Sequence, residues 1–443
     1  MEAKIKKLKS QVKEEESDDL DRLSSLPDSV LIYILSFLDT ETSIRTSVLS
    51  KRYKLLWTLS QSLDFKLPLF RSDTFEAYDG YAFPRVSNCR AAFEAYVNRV
   101  LQLREHSNLV SFRLSLHKDV SLEFLQNCID YAAHHKVQHL RVRGYAKRKP
   151  VTLPNMLLMS TSLVTLSLNN AINYCIDLPK SISLPNLKLL RLKKFEFADG
   201  NYNGELFTGC PKLETLVLSK CCIKPRNEMK ILELNCLNLK SLEICYWRSP
   251  WRCFHEHQIN VRAPQLNYFF YKGHLARMNF KYGLLCLDKA CIDLCYPTAC
   301  IAANAIDRKQ RTSEVFFGML RDINNVKTLS LSSKTIEVLY AIPDLQERFH
   351  TIFENLRLLK FTVEHKYREM TMPMGTVARS LKKIVSDMLV FHGSKELKLS
   401  PACSNVNCKS RDPRHITIPK DVMELLLESC PSAKLLSVEL PKE

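Results

Sequence analysis

Cysteine and histidine are the side chains in this sequence best suited to bind a metal or to act as nucleophiles. The chain of 443 residues contains 16 cysteines and 12 histidines. In the tightest cysteine groups three or four residues separate neighbours, whereas zinc ribbons use CxxC pairs. We therefore expect buried or loop cysteines, no metal and no cofactor. The groups are Cys286, Cys291, Cys295 and Cys300; Cys403 and Cys408; and Cys253 with His255 and His257.

Frames typical of catalytic or nucleotide-binding sites are missing from the sequence. Only 10 glycines occur, against about thirty at average usage, and no GxGxxG, GxxxxGK[ST], GxSxG or HExxH string is found. The cysteine spacings alone do not decide whether one of the cysteines acts as a nucleophile. The sequence therefore favours binding over catalysis.

The charge is strongly basic, with 64 Lys and Arg against 47 Asp and Glu and a formal net charge of +17. A basic surface attracts acidic proteins, nucleic acid or anionic membranes, although a solvated basic surface is the simpler interpretation. The first residues lack an apolar signal segment, and no apolar run approaches the ~20 residues of a membrane span. We expect a cytoplasmic and/or nuclear protein with reduced thiols and no membrane partner.

The most informative stretch runs from Leu26 to Trp57. Pro27 is typical of the first turn of a helix, and Val30 to Leu38 is apolar on all sides of that helix. Thr40 and Ser50 are candidate caps of two further short helices. Three short helices cannot bury this much apolar surface alone, so either a partner or the rest of the chain must cover it.

These residues resemble the F-box of plant F-box/LRR-repeat proteins, including the FBD-type group. The likeness rests on LPD at 26–28, ILSFL at 34–38, RTSVLSKR at 45–52 and LW at 56–57. Tyr53 stands where the family has Trp and keeps an aromatic ring. The resemblance implies binding to a Skp1-type adaptor and, through it, to a cullin. It also implies the residues of the adaptor-binding face or its immediate support: Leu26, Pro27, Ile34, Leu35, Val48, Leu49 and Trp57.

The pattern LxxLxL recurs in the rest of the chain at intervals of 24 to 28 residues, which is the period of leucine-rich repeats with one strand each. It lapses after Tyr271, except for one degenerate strand within 287–294, and resumes at Val326. The clear instances begin at Leu109, Val137, Leu163, Leu187, Leu213, Leu239 and Leu266, and later ones at Val326, Leu356, Ser394 and Ala433.

The predicted fold class is α/β: a three-helix F-box followed by a leucine-rich-repeat solenoid, a curved parallel sheet with helical or irregular outer segments. The predicted boundaries are a disordered tail at 1–22, the F-box at 23–60, linker and cap helices at 61–105, repeats at 106–275, an irregular or degenerate repeat at 276–325, and further repeats with a weakly FBD-like C-terminal cap at 326–443.

Alternation along the strands places certain side chains on the concave, solvent-facing side of the sheet. The early repeats then present a basic stripe and a later repeat an aromatic one, the residue types that interface centres favour. An ordinary solvated strand face is the alternative. The candidate substrate-binding residues are Arg141, Arg143, Arg191, Lys193, Tyr268 and Phe270.

The resemblance implies a non-catalytic receptor subunit of a Skp1–cullin–F-box ubiquitin ligase, with a protein target, acidic or phosphorylated, on the repeats. The family gives no reason to expect a cysteine nucleophile, since the adaptor complex brings the conjugating enzyme. Two alternatives remain open: an F-box scaffold that acts without ubiquitin transfer, and, less favoured, a nucleic-acid-binding protein.

Overall fold

A computed structural model gives the architecture as two compact units, Met1–Ser115 and Leu116–Glu443. The residues that the structure describes are 23, 25–67, 86–104, 109–116, 120–144, 153–170, 176–177, 182–197, 206–223, 231–246, 258–281, 283–294, 305–332, 335, 355, 358–362 and 436–439. The predicted tail at 1–22 lies outside them.

The first unit consists of short helices followed by two parallel strands. Its elements are α1 (Asp28–Leu35), α2 (Thr40–Arg45) with a 3-10 turn at Thr46–Val48, α3 (Tyr53–Leu56) with a 3-10 turn at Trp57–Leu59, β1 (Ser62–Lys66), α4 (Val86–Leu103) and β2 (Ser111–Ser115). Strand β1 pairs with β2 in parallel, with Ser62 opposite Ser111 and Lys66 opposite Ser115.

Strand β1 lies in the segment 61–105, for which we expected a linker and cap helices. Leu63, Phe65 and Leu67 alternate with polar residues and are buried, the period-two pattern of a half-buried strand. The ring of Phe65 packs against Phe112 at 5.9 Å and Tyr96 at 6.2 Å between centroids. The segment therefore contributes a strand as well as helix α4.

The second unit alternates strands of one long sheet with outer segments. Its elements are α5 (Leu122–His134), β3 (His139–Gly144), α6 (Asn155–Leu158), β4 (Thr165–Asn170), β5 (Ile176–Asp177), β6 (Leu189–Lys193), β7 (Phe195–Phe197), β8 (Thr215–Ser219), β9 (Cys222–Ile223), β10 (Ile231–Asn235), β11 (Ser241–Cys245), β12 (Gln258–Arg262), β13 (Tyr268–Gly273), β14 (Arg277–Phe280), β15 (Lys289–Leu294), α7 (Ala305–Asp322), β16 (Thr328–Ser332), β17 (Leu358–Thr362) and β18 (Leu436–Glu439).

Within the second unit, the described strands of the long sheet follow the order β3-β4-β6-β8-β11-β13-β15-β16-β17-β18, and two further sheets of three strands have the orders β5-β7-β9 and β10-β12-β14. Neighbouring strands are parallel and in register, so that Leu140, Leu166, Leu190, Leu216 and Leu242 form one continuous buried row. Each fully buried leucine contributes about 1.5–3 kcal/mol. The α/β class and the repeat architecture with its parallel sheet are confirmed.

The segment 276–325, expected to hold an irregular or degenerate repeat, contains β14, β15 and helix α7. Strand β15 pairs in register with β13 and β16, and Ala290, Ile292 and Leu294 are its buried residues. Strand β15 lies within the degenerate strand predicted at 287–294. The alanine at the second position of the pattern makes the repeat degenerate in sequence, yet a small residue there still fits the core. The predicted repeat at Ser394 and most of the FBD-like segment 326–443 lie outside the described residues.

Candidate functional site

The first unit presents a set of large apolar side chains to solvent. A folded monomer normally scatters such residues singly, whereas a contiguous exposed group indicates a binding surface. Here they come from helix α1, the turns that follow it and helix α3. The exposed fractions are 39% for Val30, 65% for Tyr33, 40% for Ile34, 71% for Phe37, 87% for Val48, 63% for Leu49 and 64% for Leu55.

Helix α1 has one apolar side that packs in the core of the first unit and another that faces solvent. Leu31 and Leu35, one helical turn apart, are buried with Tyr53 and Leu56 of helix α3. On the free side the rings of Tyr33 and Phe37 meet edge to face at 4.9 Å, a favourable aromatic geometry. The buried pair therefore anchors a helix whose remaining apolar side faces solvent.

Arg52, in the segment before helix α3, forms hydrogen bonds with the start of helix α1. Its Nε donates to Asp28 Oδ1 at 2.7 Å, and a guanidinium Nη donates to the carbonyl of Leu26 at 2.5 Å. Ser50 Oγ accepts from the backbone N–H of Tyr53 at 3.4 Å. These bonds join the start of helix α1 to the segment that follows Val48 and Leu49.

The structure sorts the predicted adaptor residues into two groups. Pro27, Ile34, Val48 and Leu49 are exposed and Leu26 is half-buried, packed against the core cluster. Leu35 is 3% exposed and Trp57 8% exposed, so these two cannot contact an adaptor across an intact surface and act only as internal support.

Sequence reasoning did not single out Tyr33, Phe37 and Leu55 as members of the exposed group. The signal was the all-round apolar pattern of residues 30–38, which marks a helix that needs cover on every side. That pattern does not tell which side of helix α1 is buried by the rest of the chain and which side faces solvent.

A second surface lies on the solvent-facing side of the long sheet. Arg141 and Arg191 are exposed and occupy one row across β3, β4 and β6, with Ser167 between them; Arg143, Asn169 and Lys193 form the next row. One strand, β4, thus separates the two basic pairs. Among the described residues no ion pair engages Arg141, Arg143, Arg191 or Lys193.

The aromatic pair lies three strands beyond β6, on β13. Tyr268 and Phe270 are half-buried and face the solvent side, while Phe269 and Tyr271 face the core. Burial raises the pKa of Tyr268 to about 12, and Lys289 Nζ lies 5.8 Å from its ring centroid. Since β6 and β13 are separated by β8 and β11, the basic and aromatic groups form separate zones of one sheet face.

Thiol and metal chemistry finds little support in the described part of the chain. No group of three or more His, Cys, Asp or Glu is arranged there to hold a metal ion. Burial raises the pKa of Cys210 and Cys245 to about 11 and that of Cys236 to about 12, which disfavours the reactive thiolate. The other cysteine and histidine candidates, Cys253, His255, His257, Cys295, Cys300, Cys403 and Cys408, lie outside the described residues.

None of the helices that the structure describes combines the length and apolar character needed to cross a bilayer.

Comparison with known proteins identifies a matching family model in each of the two units. An F-box domain model matches residues 23–64, and a model described as "FBD-associated F-box protein At5g56370, LRR repeats" matches residues 125–283. The apolar surface on Val30, Tyr33, Phe37 and Val48 therefore belongs to an F-box, and the basic and aromatic zones belong to leucine-rich repeats. This combination of domains is similar to that of F-box proteins with leucine-rich repeats.

Similar proteins of Arabidopsis thaliana narrow the class. Putative F-box/LRR-repeat protein At3g42770 is 29% identical over 80% of this chain and 62% of its own length. Putative F-box/LRR-repeat protein At4g15060 is 28% identical over 63% and 64%, and F-box/FBD/LRR-repeat protein At2g26030 is 24% identical over 88% and 84%. The chain thus spans somewhat under two thirds of the first two relatives, and its resemblance to the plant F-box/LRR-repeat and FBD-associated group is confirmed.

Proposed function

We propose that this protein is the substrate-recognition subunit of a Skp1–cullin–F-box ubiquitin ligase, acting in the cytoplasm and/or nucleus. The observation that carries the proposal is the exposed apolar surface of the F-box, above all Val48 and Leu49, which are 87% and 63% exposed. When an adaptor covers such apolar residues, their removal from water stabilises the complex by about 25 cal/mol for each Å² covered.

The mechanism is proximity. The F-box fixes the chain to a Skp1-type adaptor and so to a cullin, and the repeats hold a protein target within reach of the conjugating enzyme. The protein itself is not an enzyme in this scheme and needs no cofactor. Its contribution is to hold the target and the conjugating enzyme close to each other.

The target-binding surface is the solvent-facing side of the long sheet. The basic zone of Arg141, Arg143, Arg191 and Lys193 is suited to an acidic or phosphorylated segment, because arginine forks match carboxylate and phosphate geometry. The aromatic zone of Tyr268 and Phe270 supplies the residue types enriched at interface centres.

The experiment is co-purification with the adaptor and cullin from cells that express tagged wild type or Val48→Asp/Leu49→Asp. A charge placed in a desolvated contact costs several kcal/mol, so the double variant should lose both partners. Leu237→Asp/Leu285→Asp is the matched control, since these leucines are 54% and 80% exposed in the second unit.

The outcomes separate the alternatives. Loss of adaptor and cullin in the F-box variant alone, with ubiquitinated prey on the wild type, supports the ligase. Adaptor binding without cullin or ubiquitinated prey would favour a scaffold. Equal adaptor recovery by both double variants would contradict the assignment of the surface.

A further inference from the structure

The turns that precede five neighbouring strands of the long sheet share one hydrogen-bonding pattern. In each turn the N–H of the fourth residue donates to the carbonyl of the first, and these pairs are Leu187–Leu184, Leu213–Cys210, Leu239–Cys236, Leu266–Ala263 and Leu287–Leu284. The second residue is apolar in all five turns. We name these residues the turn stripe: Pro185, Pro211, Leu237, Pro264 and Leu285.

Hydrogen bonds between the turns hold the turn stripe in register. Asn238 Nδ2 donates to the carbonyl of Pro211 at 2.8 Å, and Lys212 Nζ donates to Asn186 Oδ1 at 2.7 Å. The turns precede β6, β8, β11, β13 and β15, which are neighbours in that order. Four strand spacings of about 4.8 Å therefore make the row about 19 Å long.

Two members of the turn stripe are leucines that the turn itself does not explain. Proline is favoured at the second position of a β-turn, which accounts for the prolines at the other three positions. Leucine has no such preference, yet Leu237 and Leu285 are 54% and 80% exposed. Exposed apolar side chains that form one contiguous row, rather than lying scattered, indicate contact with another molecule.

The charges beside the turn stripe are balanced, although the chain as a whole is basic. Of the residues that directly follow the five turns, two are basic and two acidic: Lys188, Glu214, Lys240, Asn267 and Asp288. Lys240 Nζ lies 3.3 Å from Glu214 Oε2. An acidic protein or a nucleic acid is therefore a weaker match to this edge than a surface whose own charges are balanced.

The order of these charges complements its own reversal. In a two-fold symmetric contact the same surface patch is used by both copies, and an axis across the middle turn sets the two rows antiparallel. Leu237 then faces its own counterpart, and Lys188 at one end faces Asp288 of the second copy at the other. The Glu214–Lys240 ion pairs lie beside the axis, where each Lys240 charge is already neutralised within its own chain.

We propose that the turn stripe is the contact surface of a homodimer, in which two copies of this chain pack edge to edge with antiparallel rows. A second copy matches the row in length, in apolar character and in the order of its charges. Three residues from each of five turns give about 15 residues a side, against about 20–30 in a standard interface. The contact is therefore weak, with an expected dissociation constant of about 1–100 μM.

The homodimer goes beyond the proposed function and does not depend on it. The turn stripe lies before the strands, whereas the basic and aromatic zones lie on the strands themselves. Each copy therefore keeps its own solvent-facing side of the sheet, and capture of a target by one copy does not require the other. The dimer joins two F-boxes in one particle.

Sedimentation velocity of the full chain over a range of concentrations measures the association. Leu237→Asp places two carboxylates against each other at the axis and should raise the dissociation constant of the dimer by about tenfold or more. Met156→Asp is the matched control, because Met156 is also 54% exposed in the second unit and lies outside the turn stripe. This control should stay within about twofold of wild type.

A charge exchange tests the antiparallel order. Lys188→Asp and Asp288→Lys each place like charges opposite one another at both ends of the row and should raise the dissociation constant about fivefold. The combined variant restores both opposite-charge contacts and should return to within about twofold of wild type. Since Asp288 also pairs with Lys327 Nζ at 3.2 Å, thermal unfolding is measured for all variants and should be unchanged.

The apolar surface of the F-box is excluded as the dimer contact by Val48→Asp/Leu49→Asp, which should dimerise like the wild type while it loses the adaptor. Adaptor binding is measured on the same samples. Loss of the dimer in Leu237→Asp with adaptor binding intact concerns only the turn stripe, whereas failure of the wild type to bind the adaptor, with the dimer intact, concerns only the proposed ligase function.

Three results would overturn the inference. The first is a wild-type chain that stays monomeric above about 100 μM, and the second is loss of the dimer in the F-box variant but not in Leu237→Asp. The third is a combined charge exchange that is as weak as its single members. A monomeric chain whose Leu237→Asp variant loses another co-purified protein would assign the turn stripe to that protein instead.

Discussion

Neighbouring residues of similar chemistry have opposite roles in helix α1. Leu35 is 3% exposed and Ile34 is 40% exposed, although both belong to one unbroken apolar run. The sequence cannot separate them, because a helix that meets its own core on one side and a partner on the other looks apolar on both. The predicted set, described as the adaptor-binding face or its immediate support, therefore contains both kinds of residue: Leu35 supports the core, and Val48 and Leu49 are exposed.

Truncation should separate these two roles. Leu35→Ala leaves a cavity in the F-box core and should destabilise it by about 2–5 kcal/mol, whereas Leu49→Ala should change stability by less than about 0.5 kcal/mol yet weaken adaptor binding. Hydrogen exchange of helix α1 in the full chain reports stability, and titration with the adaptor reports binding. Faster exchange in Leu49→Ala than in Leu35→Ala would reverse the assignment.

The cap of helix α2 is Asp39 and not the predicted Thr40. The Asp39 carboxylate accepts from the backbone N–H of Thr42 at 2.8 Å, while Thr40 Oγ1 accepts from the N–H of Asp64 in strand β1. The Thr42 N–H also lowers the pKa of the Asp39 carboxyl from its usual value. The prediction misplaced the cap by one residue because both types are good caps.

Asp39 should make the helix sensitive to acid. A carboxyl with a lowered folded-state pKa stabilises the fold above its unfolded pKa of about 3.9, and the stabilisation is lost as pH falls through the folded value. Asp39→Ala should therefore cost about 1 kcal/mol near neutrality, or about fivefold faster exchange of the Thr42 amide. The difference from wild type should shrink below pH 4.

The variant Asp39→Asn serves as the control, because an amide oxygen caps a helix without titrating. This variant should keep near-wild-type protection of the Thr42 amide across the same pH range. A pH-independent deficit in Asp39→Ala would show that the carboxylate is not the capping group.

At the scale of elements, the long sheet was predictable and the outer segments were not. The LxxLxL pattern located β3, β4, β6, β8, β11 and β13 because each strand buries its own leucines whatever its neighbours do. The short strands β5, β7 and β9, of two or three residues, exist only because adjacent repeats align them. A strand of so few residues has no local sequence pattern that predicts such pairing.

Outer segments also carry close backbone contacts that sequence patterns do not reveal. A Cβ added at Gly209 would lie 2.3 Å from the carbonyl oxygen of Ile182 and 2.8 Å from Ser183 Cα, where a parallel bridge joins Ser183 to Gly209. Both contacts are with backbone, which cannot rotate away. Glycine at this point therefore sets how closely two consecutive repeats approach.

Gly209→Ala should destabilise the second unit by more than about 2 kcal/mol, since the repeats must move apart to admit the methyl group. Gly318→Ala is the matched control, because nothing lies within 4 Å of a Cβ there and alanine is favoured over glycine in a helix by about 1 kcal/mol. The thermal unfolding midpoint of the full chain should fall in the first variant and hold or rise in the second. A fall in both would point to a nonspecific effect.

At the scale of the whole molecule, the basic zone of the long sheet is a surface that sequence could define. Residue type and alternation placed Arg141, Arg143, Arg191 and Lys193 on the solvent side of the sheet, since strand geometry alone decides which face a side chain takes. The order of the repeats, rather than any single motif, brings these four residues to one face of the sheet.

The decisive prediction for this unit concerns the basic zone as a set. Arg141 and Arg191 lie two strands apart, or about 10 Å, a span that a short acidic segment can cover. Exposed single charges are worth about 0–1 kcal/mol each, so reversal of all four basic residues to Glu is the informative change. Target capture should fall severalfold, while adaptor binding and thermal stability remain nearly unchanged because these side chains lie outside the leucine-lined core.

The matched control reverses Lys188, Lys212, Lys240 and Lys327 to Glu, four exposed lysines before strands of the same sheet. Both quadruple variants change the net charge equally, so nonspecific electrostatic effects on prey recovery cancel in the comparison. Quantitative proteomics of captured prey, with the F-box intact, measures the difference. Matching prey in identity and abundance across wild type and both variants would assign the basic zone to solvated surface and move recognition toward the aromatic zone, because those aromatics are the other interface-type residues on this face.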